Sequence, residues 1–124
     1  MTNINHPYVD SIFQLSFGYW KSCILFTATE FDIFTLISKG KVTAKEISQF
    51  IHANKRATEM LLNALVSLEL LTKQANSYHN TPISNLHLIK GKPHYLGDFI
   101  HHAQNIMENW TMLRETIETG KAVS

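Results

Sequence analysis

Seven histidines are the most reactive-looking residues in this chain of 124. His101 and His102 are adjacent, which on a helix turns them about 100° apart. Asp98 precedes them by three and four residues, so an Asp98–His102 contact is expected to be within reach. H-E-x-x-H spacing is absent and Cys23 is the lone cysteine, so neither a zinc-protease helix nor a cysteine-rich metal site is predicted. Cys23 lies between Trp20 and Ile24, where a thiol acts as a small hydrophobe. It can form no internal disulfide, which points to a reducing compartment, the cytoplasm by default. No serine sits in a G-x-S-x-G context, and the acidic residues are scattered. The five glycines, at 18, 40, 91, 97 and 120, make neither G-x-G nor G-x-x-G. A nucleotide loop needs closely spaced glycines after a strand, so this chain is expected to hold no cofactor, no metal and no catalytic residue of its own.

The remaining chemistry lies at 54–59, where a helix-turn-helix would present Lys55, Arg56, Thr58 and Glu59 to base edges. The chain carries 11 basic and 10 acidic residues, a formal charge of +1. Holding DNA by phosphate neutralisation calls for a clear basic excess. The hairpin that would cross the backbone has only Lys73 and His79. Nucleic-acid binding is therefore the lesser reading.

The elements follow from pattern. Thr43 and Glu46 have capping-box spacing, with Ile47, Phe50 and Ile51 behind them. Asn54 is a good N-cap for a second helix. Its apolar stripe is predicted at Ala57, Met60, Leu61, Ala64, Leu65 and Leu68. A hairpin wing pairs Leu70–Lys73 with Tyr78–Asn80 across Gln74–Ser77, and Thr81-Pro82 ends it. Residues 83–89 form one turn, and Lys90–Pro93 a loop. Upstream, a start at 1–9 reads as loose. One helix then runs from Tyr8 or Asp10 to Thr27. A short apolar helix begins at Thr29 and stops at Gly40 in a left-handed C-cap. Downstream, apolar residues recur from Leu96 to Ile117 before Gly120, predicting one helix of about 23 residues and roughly 35 Å.

The first helix has two apolar stripes. One comprises Val9, Ile12, Phe13, Trp20, Cys23 and Ile24, the other Leu15, Tyr19 and Phe26. A surface helix needs only one. The last helix outruns the body of so small a domain, whose radius of gyration is near ~14 Å. Both point to cover by a second subunit. No run of about 18 uncharged apolar residues exists to span a membrane, and no secretory leader is visible.

Several segments in order resemble the N-terminal dimerisation domain of the S-adenosylmethionine-dependent O-methyltransferases, a family that includes plant-type phenylpropanoid, acetylserotonin and bacterial polyketide or pigment methyltransferases. Gly18-Tyr19-Trp20 and Ala28 to Phe34 look like its opening "G-[FY]-W … A-x-x-L-G-[IL]-F", with Phe31-Asp32 in place of Leu-Gly. Thr43–Ile51 is similar to "T-x-x-E-[IL]-A". Met60–Leu65 and Leu68–Leu71 look like "LL-x-x-L-x-x-x-G-L-L", with Glu69 where glycine is usual. Tyr78–Pro82 resembles "Y-x-x-T-P". Trp110, Leu113 and Thr119-Gly120-Lys121 resemble the closing "W-x-x-L-x-x-x-[IL]-x-x-G-K".

The resemblance implies one mainly α domain over 1–124. It would be a winged helix-turn-helix with a small β-hairpin wing, plus N-terminal and long C-terminal dimerisation helices. In the family the first and last helices interlock two copies, and the domain roofs the acceptor pocket. Methyl transfer belongs to a following Rossmann-like domain that binds S-adenosylmethionine. That domain would begin about where this chain ends, so the chain is expected to be a piece of such an enzyme, inactive alone. The expected interface is Ile12, Phe13, Phe17, Trp20 and Ile24 on the first helix. On the last it is Phe99, Ile106, Trp110 and Leu113. The expected pocket, for a small aromatic or polyketide-like acceptor, is Phe17, Trp20, His102, Asn105, Met107 and Trp110. The rival is a dimeric winged-helix transcriptional regulator.

Overall fold

The computed structural model describes residues 8–122. Most of the loose start expected over 1–9 lies outside that range. The rest does not extend past Tyr8, because α1 (Val9–Phe17) begins at Val9. Then come α2 (Tyr19–Glu30), α3 (Ile33–Ser38), α4 (Ala44–Phe50) and α5 (Lys55–Ser67). The hairpin β1 (Leu71–Gln74) and β2 (Ser77–Asn80) follows, then α6 (Pro82–His87), α7 (Gly97–Trp110) and α8 (Leu113–Thr119). Helix, helix and hairpin in this order give the winged helix-turn-helix.

The local rules hold where one side chain decides. Thr43 Oγ1 accepts from the Glu46 N–H at 3.1 Å, and Glu46 Oε1 accepts from the Thr43 N–H at 3.1 Å, completing the capping box. Asn54 Oδ1 accepts from the Ala57 N–H at 2.9 Å. Gly120 closes α8 at φ 70° and Gly40 follows α3 at φ 97°, both left-handed.

Five expectations shift. The first helix is interrupted at Gly18, whose backbone stays helical (φ −59°, ψ −24°), and it runs on to Glu30. Buried Phe26 and Ala28 hold that last stretch against the core, so the turn falls at left-handed Asp32 (φ 54°) and α3 starts at Ile33, not Thr29. The strands begin at Leu71 and meet in a two-residue turn, with Gln74 paired to Ser77 and Ala75 at φ 53°. The buried face of α5 is Thr58, Leu62 and Leu65, rotated from the predicted stripe, and Ala57 and Met60 lie open. Thr58 can turn inward because its hydroxyl donates to the Asn54 carbonyl at 2.8 Å. The last helix is two helices, not one of 23 residues. The Thr111 hydroxyl donates to the Glu108 carbonyl at 2.6 Å and the Met112 N–H to Asn109 at 3.1 Å, so the i−4 ladder is broken there.

The core gathers Phe34, Ile33, Ile47, Leu62, Leu65, Leu71 and Tyr78. Tyr78 is 1% exposed, and its phenol donates to Asn63 Oδ1 at 2.7 Å, which satisfies the one polar atom of a buried ring. Its N–H donates to Val42 at 2.8 Å, and Thr43 bridges to Ser77, tying the segment before α4 to the wing. The Leu70 carbonyl, freed by the left-handed turn at Glu69 (φ 61°), accepts from the Thr81 and buried Ser84 hydroxyls. Residues 88–96 return the chain, pinned where the Lys90 N–H donates to Thr35 and the Leu96 N–H to His87. That return lays α7 along α2, with Ile100 buried and Ala103 and Met107 against the core. Among the described residues, no helix is long and apolar enough to cross a membrane.

Candidate functional site

A helix holds its place in a protein by burying an apolar face, because helices this short are marginal alone. Neither α1 nor α8 buries a single residue. Their apolar side chains, and those on the outer faces of α2 and α7, meet solvent. Ile12, Phe13, Phe17 and Trp20 are open, as are Phe99 (68%), Ile106, Trp110 (65%) and Leu113. Ile24 differs: it is half-buried and packs on the core of its own chain. Leu15 (80%), Tyr19 and Ile117 (75%), outside the expected interface set, are as open. Each aromatic ring carries about 150–250 Å², so half of that for the six open aromatic residues of these helices comes to roughly 450–750 Å² per chain, before the open aliphatic side chains are added. The largest patch on a typical monomer is about 300–600 Å².

The expected pocket residues fall into two groups. The Phe17 and Trp20 rings stack with centroids 4.4 Å apart, astride the Gly18 interruption, and Tyr19 meets Trp20 edge-on at 6.3 Å. His102, Asn105 and Trp110 are exposed on α7, while Met107 packs on the core. Among the described residues no aromatic contact joins the two groups. Nor does Asp98 pair with His102. Asp98 and His101 instead line a cleft of about 210 Å³ between the end of α2 and the start of α7, with Glu30, Asp32, Tyr95 and Gln104. Burial, then the charges of Asp32 and Asp98, push the Tyr95 phenol above its ordinary pKa. Among the described residues no three His, Cys, Asp or Glu side chains converge as a metal set would require.

The face that would read DNA is poorly equipped. Thr58 is buried, Arg56 lies against the Met60 sulfur at 3.5 Å, and Lys73 is tied to Asn63 at 3.3 Å. A cleft of about 320 Å³ opens here, between the starts of α4 and α5 and the wing.

Comparison with known proteins decides what this architecture is. The model of the O-methyltransferase dimerisation domain matches residues 13–90. The chain belongs to the O-methyltransferase dimerisation-domain family. This dimerisation domain is 31% identical to the N,N-dimethyltransferase OxyT of Streptomyces rimosus, over 92% of the chain and 33% of OxyT. It is also 31% identical to the tetracenomycin polyketide synthesis 8-O-methyl transferase TcmO of Streptomyces glaucescens, over 97% of the chain and 35% of TcmO. Among solved structures it resembles an O-methyltransferase family protein from Burkholderia thailandensis with a TM-score of 0.82 and 27% identity. That match covers 98% of the chain and 35% of the solved one. Human N-acetylserotonin methyltransferase, solved with S-adenosylmethionine, shares the fold with a TM-score of 0.82 at 23% identity, covering 98% of the chain and 37% of that one. The dimerisation domain thus spans about a third of the length of the curated relatives it matches.

Proposed function

We propose that this domain joins two copies of an S-adenosylmethionine-dependent O-methyltransferase through α1, α2, α7 and α8, and roofs the acceptor pocket of that enzyme. The observation that carries the reading is that α1 and α8 bury nothing in a single chain. A second copy supplies the missing cover, and the open aromatic and aliphatic side chains of these four helices together are on the scale of the ~800 Å² per partner of a standard interface. The methyl donor belongs to the parent enzyme, and this domain contributes no catalytic group. The acceptor is a small aromatic or polyketide-like molecule. The stacked Phe17–Trp20 pair offers it a flat apolar wall, with Met107, Trp110, His102 and Asn105 as further lining. TcmO is named for polyketide synthesis, which supports that class. The lone cysteine suits a reducing cytoplasm.

Phe13→Glu and Trp110→Glu test the joining role. Each places a charge in the contact, and each is expected to weaken self-association by ~30-fold or more, as loss of a hot-spot aromatic does. Both side chains are open in the single chain, so its fold should survive. Unchanged association in both variants would refute the proposed interface.

A further inference from the structure

The cleft of about 320 Å³ shares no residue with the apolar face above. Its walls carry Lys45 from α4, Lys55 from α5, Lys73 from β1 and Asn76 from the hairpin turn, with Glu59 as the one carboxylate. Three lysines thus line one cleft in a chain whose net charge is only +1. None of them is in an ion pair among the described residues, where the one such pair is Arg114–Glu118, on α8. Glu46, next to Lys45 in the chain, is not among the cleft's lining residues, and its carboxylate is engaged with the Val42 and Thr43 N–H groups and the Thr43 hydroxyl. Lys73 cannot swing away freely, being held by Asn63 at 3.3 Å and over the Tyr78 ring at 5.2 Å. Lys55 is the first residue of α5, so the positive end of a helix of 13 residues adds to the same field.

From this convergence we infer that the cleft is a binding site for a small polyphosphate anion. Lysines bind phosphate as point charges and need no planar fork. The volume lies at the lower end of small-ligand pockets, about 300 Å³ and up, and suits a pyrophosphate-sized group. A duplex is the poorer fit, because inward Thr58 and a wing with one lysine leave little to follow a phosphate backbone.

Titration calorimetry of the 124-residue chain with sodium pyrophosphate at low salt tests the site. Saturable one-site binding is expected. Lys45→Gln and Lys55→Gln should each weaken it about threefold and together about tenfold, as exposed charge pairs do. Glu59→Gln should tighten it about threefold, a gain that misfolding cannot imitate. Lys21→Gln, on α2, should leave it unchanged. Absence of saturation, equal weakening by Lys21→Gln, or no gain from Glu59→Gln would overturn the inference. So would tighter binding of duplex DNA than of pyrophosphate, lost on Lys55→Gln.

Discussion

Glu46 shows how much one side chain can settle. Its Oε1 accepts from the Val42 N–H at 3.2 Å, the Thr43 N–H at 3.1 Å and the Thr43 hydroxyl at 3.0 Å. Those bonds, the Thr43 hydroxyl first, hold its pKa below the ordinary 4.5. A folded pKa below the unfolded one means the stabilisation is complete above about 4.5 and lost as pH falls through the folded value. Glu46→Gln should therefore melt below the native chain at neutral pH, with the gap closing as the medium is acidified. A melting series across that range checks it, and a gap that stays constant would show that the charge contributes nothing. This residue was legible because a capping box is local. Thr58 was not. Its polar side chain reads as solvent-facing until the hydroxyl is seen to reach the carbonyl of Asn54, and that bond turns the face of α5.

Elements depend on what a stretch of chain meets, and there sequence reading was less complete. Asp32 (φ 54°) and Glu69 (φ 61°) stand where the family pattern has glycine, and both adopt the left-handed conformation that explains the glycine. Placing an L side chain there costs about 1 kcal/mol or more. Glu69→Gly, at an exposed position, should accordingly raise stability by roughly 0.5–1 kcal/mol. A higher urea midpoint at unchanged slope checks this, and an unchanged midpoint would mean the turn is not strained. The long last helix misled for the opposite reason. Its apolar spacing continues through Thr111 without a fault, and the division shows only in the bonds of the Thr111 hydroxyl to Glu108 and the Met112 N–H to Asn109. Strand boundaries moved by one residue because Ala75, rather than a glycine, takes the positive φ of the turn.

At the scale of the whole molecule, hydrophobic patterning revealed more than secondary structure did. Two stripes on the first helix, and a last element too long for the body, called for a cover that one chain lacks. Most of the expected interface residues stand open in the single chain: Phe13, Trp20, Phe99 and Trp110 among them. Ile24 went the other way because α7 lies along α2 and the core takes in that part of the helix. The expected pocket residues are harder to draw from sequence, since within this chain they fall into two groups that no aromatic contact joins among the described residues. Lys55, Glu59 and Lys73 stand out in the sequence as helix-turn-helix and wing residues, but that Lys45 joins them in one cleft follows only from the fold of α4 and α5 against the wing. What the account depends on is that an apolar area of this size does not stay in water. Sedimentation equilibrium of the 124-residue chain over a range of concentrations tests that directly. A species of twice the 14.2 kDa chain mass is expected at micromolar concentration, dissociating on dilution. A 14.2 kDa particle at every concentration, with its helices intact by circular dichroism, would contradict it.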